Sequence, residues 1–148
     1  MMQIRDMKAE DIPEIMNIEK VCYDEPWEDV HFLFQLNRPE PCNWVAVSGQ
    51  KICAYINCCK WKQELHMNNL AVIEEHRRKG IAQSLLDRMT EYAKDRSFEI
   101  IKLEVNESNH AARELYKKNG FIKTGYVPDY YDNGSSAALI MSKKMEIK

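Results

Sequence analysis

The sequence feature that most constrains the fold is a short basic segment, Arg77–Ala82, enclosed between two different hydrophobic patterns. Before this segment lies an apolar, strand-like stretch that ends with Leu70-Ala71-Val72. After it, apolar residues recur with helical spacing as far as about Arg96. A strand, a tight basic loop and an amphipathic helix in this order predict one β-loop-α unit around which the rest of the chain is arranged.

The basic segment also indicates an anion site. Arg77, Arg78 and Lys79 precede the predicted helix, whose N-terminal dipole favours negative rather than positive charge. Gly80 permits close backbone approach, and the free N–H groups of a first helical turn suit a pyrophosphate. The alternative is a solvated basic face, which is the more common meaning of a short charge run. Neither a Walker loop nor a dinucleotide fingerprint is present in the sequence.

Composition narrows the class of protein. A chain of 148 residues fits a single domain, spanning 1–148, that can bury its own core. Its net charge of -2 disfavours nucleic acid as a partner. Without a membrane-length apolar run or a signal-peptide core, we expect a cytoplasmic protein with no membrane partner. Its five cysteines include no Cys-x-x-Cys pair, so we expect reduced thiols and no metal.

Hydrophobic periodicity and turn residues predict the element order βααβββαβαββ. The helices are expected at about Glu10–Cys22, Glu28–Asn37, from the basic segment to Arg96, and Asn109–Asn119. The strands are expected at Gln3–Arg5, Asn43–Ser48, Ile52–Lys60, Glu64–Val72, Glu99–Val105, Ile122–Tyr130 and Ala137–Lys144, the last two joined by a turn at Asp132-Asn133-Gly134. Strands interspersed with helices imply an α/β or α+β protein with a partly antiparallel sheet.

Two motifs in this order resemble those of the GNAT superfamily of N-acetyltransferases, and the resemblance spans essentially the whole chain. Arg77-x-x-Gly80-x-Ala82 is similar to the superfamily's acetyl-CoA pyrophosphate motif. The more discriminating signature is Leu103-Glu104-Val105-x-x-Ser108-Asn109-x-x-Ala112-x-x-Leu115-Tyr116-x-x-x-Gly120-Phe121. The resemblance implies the GNAT fold, a mixed, largely antiparallel central sheet with helices on both faces.

Within the superfamily, the chain is most similar to the ribosomal-protein alanine acetyltransferases and the Ard1-type N-terminal acetyltransferases. The residues that carry this similarity are Arg77–Ser84, Pro26-Trp27 and Asp129–Asp132. It implies transfer of an acetyl group from acetyl-CoA to the N-terminal α-amine of a protein or peptide, ribosomal proteins included, by direct attack in a ternary complex. Two alternatives remain open: acetylation of a small-molecule amine, and a non-catalytic module that binds acetyl-CoA.

The resemblance also assigns the residues that contact acetyl-CoA. These residues are Leu70, Ala71, Val72, Arg77, Arg78, Lys79, Gly80, Ile81, Ala82 and Asn109. For Asn109, position alone predicts a helix cap, and a cap can also contact a ligand.

Glu104 and Tyr116 are the candidate catalytic residues. Glu104 alternates with Leu103 and Val105 along a strand, so its carboxylate lies on the opposite sheet face from those two side chains. In the family this position is the proposed general base; the alternative is a solvated surface glutamate. Tyr116 matches the general acid that protonates the CoA sulfur, although a buried aromatic residue on a helix is ordinary as well.

The acceptor side of the site is assigned to a third group of residues. The resemblance implies contacts from Glu25, Pro26, Trp27, His66, Tyr130 and Tyr131. Relatives commonly have an apolar residue in place of Glu25, so this carboxylate can meet a positive group of the substrate or face water. His66 shares strand parity with Leu70 and is a reserve base, because imidazole titrates near neutrality.

Overall fold

The computed structural model describes residues 2–23, 26–131 and 136–146, and it confirms the predicted order of helices and strands. The helices are α1 (Ile12–Cys22), α2 (Asp29–Leu36), α3 (Ile81–Asp95) and α4 (His110–Lys118). The strands are β1 (Met2–Asp6), β2 (Cys42–Ser48), β3 (Lys51–Trp61), β4 (Glu64–Val72), β5 (Ile100–Asn106), β6 (Ile122–Tyr131) and β7 (Ser136–Lys144). Short 3₁₀ turns at Ala9–Asp11 and Glu74–His76 precede α1 and the basic segment. The predicted turn at Asp132-Asn133-Gly134 lies outside the described residues.

The strands form a seven-stranded sheet in the order β1-β2-β3-β4-β5-β7-β6. The pairs β1–β2, β2–β3, β5–β7 and β6–β7 are antiparallel, whereas β4–β5 is parallel, with Glu64–Met67 in register with Ile100–Leu103. The sheet is therefore mixed and largely antiparallel, as the sequence predicts. Strand β7 lies between β5 and β6, so the last two strands of the chain do not continue the sheet in chain order.

The chain divides into two compact units. The first contains the residues up to Cys59 together with Asn68–Glu91, and the second contains Lys60–Met67 together with the residues from Tyr92 onward. A single domain over 1–148 stays a prediction. None of the helices in the described ranges has the length and apolar character that a membrane crossing would need.

The core of the first unit forms because α1 presents one apolar stripe. Buried residues of α1, α2 and the strands pack into one cluster: Met7, Ile12, Ile15, Ile18, Phe32, Val45, Ile52, Tyr55 and Ala71. The start of α1 is fixed by Asp11, whose carboxylate accepts hydrogen bonds from the Arg5 guanidinium at 2.8 and 2.9 Å and from the Lys8 N–H at 2.8 Å. Its bond to Arg5 holds the pKa of Asp11 below its ordinary value.

In the second unit, strand alternation buries one face of β5. Ile101, Leu103 and Val105 are buried between more exposed neighbours. Asn109 caps α4, because its side-chain oxygen accepts a hydrogen bond from the Ala112 N–H at 3.2 Å. The chain leaves α4 through Gly120, whose φ of 89° lies in the left-handed region that glycine adopts without steric cost.

All five cysteines are present as thiols rather than as disulfides. Cys42, Cys53 and Cys58 are buried in β2 and β3, whereas Cys22 and Cys59 are half-buried. Burial raises the pKa of the Cys53 and Cys58 thiols, because the thiolate is disfavoured away from water.

Candidate active site

The basic segment forms the predicted loop between β4 and α3. Arg77, Arg78, Lys79 and Gly80 are all exposed, and α3 begins immediately afterwards with the buried Ile81. Arg78 and Gly80 have φ values of 64° and 79°, so two residues of this loop have a left-handed backbone conformation. An added Cβ on Gly80 would meet nothing within 4 Å, so glycine is required there by its backbone conformation rather than by lack of space. The position of these cations at a helix N-terminus is confirmed.

The three cations of this loop are not equivalent. The Arg77 Nε donates to the Val72 carbonyl at 3.0 Å, and its Nη2 lies 3.6 Å from the Cys22 Sγ. Arg77 therefore ties the loop to the end of β4 and to the end of α1. Arg78 and Lys79 lie on the exposed part of the loop, where an anion can reach them.

The strand segment Leu70-Ala71-Val72 carries a contact that the sequence did not indicate. The Tyr23 hydroxyl donates to the Leu70 carbonyl at 2.8 Å, and the Leu70 nitrogen lies 3.4 Å from the Tyr23 hydroxyl oxygen. Tyr23 directly follows α1, and its backbone N–H bonds the Glu19 carbonyl. Ala71 is buried, whereas Leu70 and Val72 are half-buried. The Tyr23 hydroxyl thus engages both the carbonyl and the N–H of Leu70.

The second unit brings Glu104 together with two tyrosines. Glu104 is exposed on β5 between buried Leu103 and Val105, which confirms the predicted alternation. The Tyr130 phenol lies near the Glu104 carboxylate, and its interaction with that carboxylate, followed by burial, raises the pKa of Tyr130 to about 12. Burial, followed by the charge of Glu104, raises the pKa of Tyr131 to about 12. The carboxylate of Glu104 on β5 therefore lies near the phenols of Tyr130 and Tyr131 at the end of β6.

A backbone irregularity in β6 explains how two consecutive tyrosines reach one carboxylate. Consecutive residues of a regular strand point to opposite faces. Here the β6–β7 register shifts between Val127 and Tyr131, and Asp129 has a φ of 56°. The rings of Tyr130 and Tyr131 consequently touch, with centroids 4.8 Å apart. This bulge re-aims both phenols in the way that bulges commonly do beside functional sites.

Tyr116 lies on the buried side of α4. Its ring packs edge-on against Phe121 with centroids 6.0 Å apart, and 6% of the residue is exposed. Burial, and then the nearby Tyr131 phenol, raise the pKa of Tyr116 above its ordinary value. Tyr116 therefore keeps its proton at neutral pH, which an acid catalyst requires.

The remaining predicted residues occupy more ordinary surroundings. His66 is half-buried on β4, opposite Lys102 of β5 in the parallel register. Trp27 is half-buried, with its ring centroid 5.2 Å from that of Phe32, and Pro26 before it is exposed. Glu25 lies outside the described residues. In the part of the chain that the structure describes, no cluster of three or more metal-binding side chains occurs.

The first unit supplies exposed cations at a helix N-terminus, and the second unit supplies an exposed carboxylate and a buried, protonated phenol. These groups can serve as an anion site, a base and an acid. Comparison with known families agrees: the model of the Acetyltransferase (GNAT) family matches residues 12–121. The chain therefore belongs to the GNAT family and is an N-acetyltransferase.

Two relatives and one more distant structure define the similarity. The N-alpha-acetyltransferase of Saccharolobus solfataricus is 32% identical over 150 residues, covering 93% of this chain and 90% of its own. The crystal structure of the ribosomal-protein-S18-alanine N-acetyltransferase from Escherichia coli is 26% identical, with a TM-score of 0.90, and the match covers 100% of this chain and 96% of that one. The NatC complex bound to Gag peptide and CoA shares the fold, with a TM-score of 0.89 at 20% identity, over 98% of this chain and 99% of that one.

Proposed function

We propose that the protein transfers the acetyl group of acetyl-CoA to the N-terminal α-amine of a protein or peptide, in one direct step within a ternary complex. The observation that carries this proposal is the exposed carboxylate of Glu104 with Tyr130 and Tyr131 beside it. The two relatives described above act on α-amines, one of them on a ribosomal protein. A ribosomal protein N-terminus is therefore the first acceptor to test.

The acetyl-CoA side of the proposal rests on the first unit. The exposed cations Arg78 and Lys79, with the left-handed Gly80, suit a pyrophosphate at the start of α3. The backbone of Leu70–Val72 would pair with the pantetheine arm, and Arg77 and Ala82 would hold the loop against the phosphates. Asn109 of the second unit would add a polar contact while capping α4.

The proposed chemistry needs one base and one acid. An α-amine has a pKa of about 7.7–8.0, so a carboxylate acting directly or through a water can take its proton at neutral pH. The amine nitrogen forms a bond to the thioester carbon, and the carbon–sulfur bond breaks as the tetrahedral intermediate collapses. Glu104 accepts the amine proton, and Tyr116 donates a proton to the departing thiolate. Solvent then returns the proton from Glu104 to Tyr116.

The surroundings of the cysteines favour direct transfer over an acetyl-cysteine intermediate. A cysteine nucleophile is normally activated by an adjacent base such as histidine. Cys22 contacts Arg77 and the Val72 carbonyl, and Cys59 contacts Asn68. We expect the double variant C22A/C59A to retain turnover in steady-state assays. Loss of turnover with acetyl-CoA binding intact would contradict direct transfer.

Mass spectrometry locates the acetyl group and tests the acceptor class. Peptides that differ in their first residue are incubated with acetyl-CoA, beside the same peptides with a blocked α-amine but a free lysine, and beside a panel of small amines. We expect acetylation of the free α-amine only. Acetylation confined to lysine or to a small amine would overturn the acceptor assignment, and tight acetyl-CoA binding without any transfer would indicate a non-catalytic module.

Two variants test the proton-transfer roles. We expect Glu104→Gln to lower kcat by about 10²- to 10⁴-fold, most strongly at low pH, where more of the amine is protonated. Tyr116→Phe should lower kcat with little change in acetyl-CoA affinity, because the aromatic ring is kept. Tyr130→Phe is the companion variant, since it removes the phenol nearest Glu104 and leaves the carboxylate in place, so its effect separates the contribution of Tyr130 from that of Glu104. Unchanged kinetics in Glu104→Gln or in Tyr116→Phe would remove that residue from the mechanism.

A further inference from the structure

Glu19 is a buried acidic residue that the mechanism above does not use. It lies on α1 and is 1% exposed. A buried carboxylate normally requires a cation or a full set of hydrogen-bond donors, because losing water is costly for a charge. Glu19 has the donors, and each of them is neutral.

The donors to Glu19 come from three different segments of the first unit. The Tyr55 hydroxyl of β3 donates to Oε1, and the Asn69 Nδ2 of β4 lies 3.1 Å from both carboxylate oxygens. The backbone N–H of Trp27 donates to Oε2 at 2.7 Å. The first two donors fix the orientation of the carboxylate from the sheet. The third donor, the Trp27 N–H, lies just before α2.

This arrangement connects two parts of the proposed site. Asn69 directly precedes Leu70, whose backbone bonds the Tyr23 hydroxyl. Trp27 belongs to the segment assigned to the acceptor. A second tie between the same regions is the Tyr23 hydroxyl itself, which reaches from the end of α1 to β4. Tyr23 is thus bonded directly to β4, whereas Trp27 is linked to β4 through Glu19, which also accepts from Asn69.

We propose that Glu19 is a positioning residue, which fixes the backbone at Trp27 relative to strand β4 and so sets the acceptor side of the site. This inference rests on the proposed function in one respect: it takes the acetyl acceptor to be the molecule that contacts the residues around Trp27. A carboxylate is suited to this task because each of its oxygens can accept more than one hydrogen bond: Oε1 accepts from Tyr55 and Asn69, and Oε2 accepts from Asn69 and Trp27. Bonds to an ionised acceptor are also stronger than those between neutral groups.

Amide hydrogen exchange measured by NMR tests the proposal without any assay of activity. In Glu19→Ala, the Trp27 amide loses its acceptor, and we expect its exchange to speed up by about tenfold or more, as loss of a charge-assisted bond implies. The Tyr23 amide is an internal control, because it bonds the backbone carbonyl of Glu19, which the substitution leaves in place. Its protection should not change. Should Glu19→Ala not fold, Glu19→Asp shortens the side chain and keeps the charge, with the same expected loss at Trp27.

Tyr55→Phe is the matched control for a general structural effect. It removes one donor from Glu19 and leaves the bond to Trp27 available. We expect Tyr55→Phe to retain protection at Trp27, and Glu19→Gln to retain most of it, because an amide oxygen can still accept from the Trp27 N–H. Equal loss in Glu19→Ala and Tyr55→Phe, or no loss in Glu19→Ala, would overturn the positioning role.

Kinetics with the best peptide acceptor provide the second readout. We expect Glu19→Ala to raise the KM for the acceptor about tenfold, with kcat and the KM for acetyl-CoA nearly unchanged, and Tyr55→Phe to leave all three near wild type. An acceptor KM that does not move in Glu19→Ala would refute the role. If the wild-type protein acetylates no α-amine, the proposed function fails. The exchange rate of the Trp27 amide still shows whether Glu19 holds the backbone at Trp27.

Discussion

The left-handed residue in β6 leads to a prediction about stability and turnover together. Asp129 has a φ of 56° inside the bulge and is exposed, so replacing its side chain removes no core packing. Aspartate tolerates this backbone region, whereas a β-branched residue does not. The left-handed conformation costs an ordinary L-residue about 1–2 kcal/mol. We expect Asp129→Val to lower the free energy of unfolding by about that amount.

The measurement is urea unfolding together with a thermal melt. For a chain of this size, 1 kcal/mol corresponds to about 2–4 °C, so Tm should fall by about 2–8 °C. Asp129→Asn and Asp129→Gly are matched controls, since both residues enter the left-handed region readily. Asp129→Asn removes the charge of Asp129 but keeps a side chain that tolerates the left-handed region, so it measures the effect of the lost charge alone. Both controls should stay within about 1 kcal/mol of the wild type.

The same substitution should affect turnover. If valine relaxes the bulge, Tyr130 and Tyr131 return to opposite faces of β6, and the two phenols no longer lie together beside Glu104. We therefore expect kcat/KM to fall in Asp129→Val and to be retained in Asp129→Gly. An Asp129→Val protein that equals Asp129→Gly in both unfolding free energy and kcat/KM would refute the argument that the backbone of Asp129 sets the two phenols.

Three further predictions concern stability. The lowered pKa of Asp11 means that its bond to Arg5 stabilises the fold above the unfolded pKa of about 3.9 and is lost as pH falls, so urea unfolding of Asp11→Asn should depend less on pH below about 5. Gly125→Ala would place a Cβ 2.9 Å from the Ile140 Cδ1, and its expected cost of about 1–3 kcal/mol should shrink in Gly125→Ala/Ile140→Val, where that atom is absent. Asn109→Ala should cost about 1 kcal/mol and Asn109→Ser much less, whereas a raised KM for acetyl-CoA in both would indicate a separate cofactor contact.

Regular periodicity made most of the fold predictable from the sequence. Strand β4 has the predicted bounds, Glu64–Val72: polar and apolar residues alternate in its first half, an apolar run ends it, and buried and less buried positions alternate throughout. Helix α1 begins at Ile12 rather than at Glu10, since Ala9–Asp11 form a 3₁₀ turn. That turn is fixed by the contact between Arg5 and Asp11, which no local pattern reveals. Helix ends set by such contacts are less predictable than helix centres.

The parts of the candidate site that escaped prediction depend on contacts between distant segments. Alternation along β6 would place Tyr130 and Tyr131 on opposite faces, and only the bulge at Asp129 brings them together. Glu19 looks like an ordinary polar residue of an amphipathic helix until β3 and β4 supply its donors. The cofactor and catalytic roles of the motif residues stay predictions, because they concern ligands rather than the fold.

The distribution of thiols makes the protein suitable for site-selective chemical labelling. The thiolate is the nucleophile that attacks a thiol reagent, and burial, by raising the pKa of Cys53 and Cys58, disfavours their thiolates. Cys22 and Cys59 are the more accessible of the five, and they stand at the end of α1 and near the end of β3. A maleimide dye should therefore modify these two positions first. With either one replaced by alanine, a single fluorophore would report on the Arg77 loop or on the Asn68 strand segment.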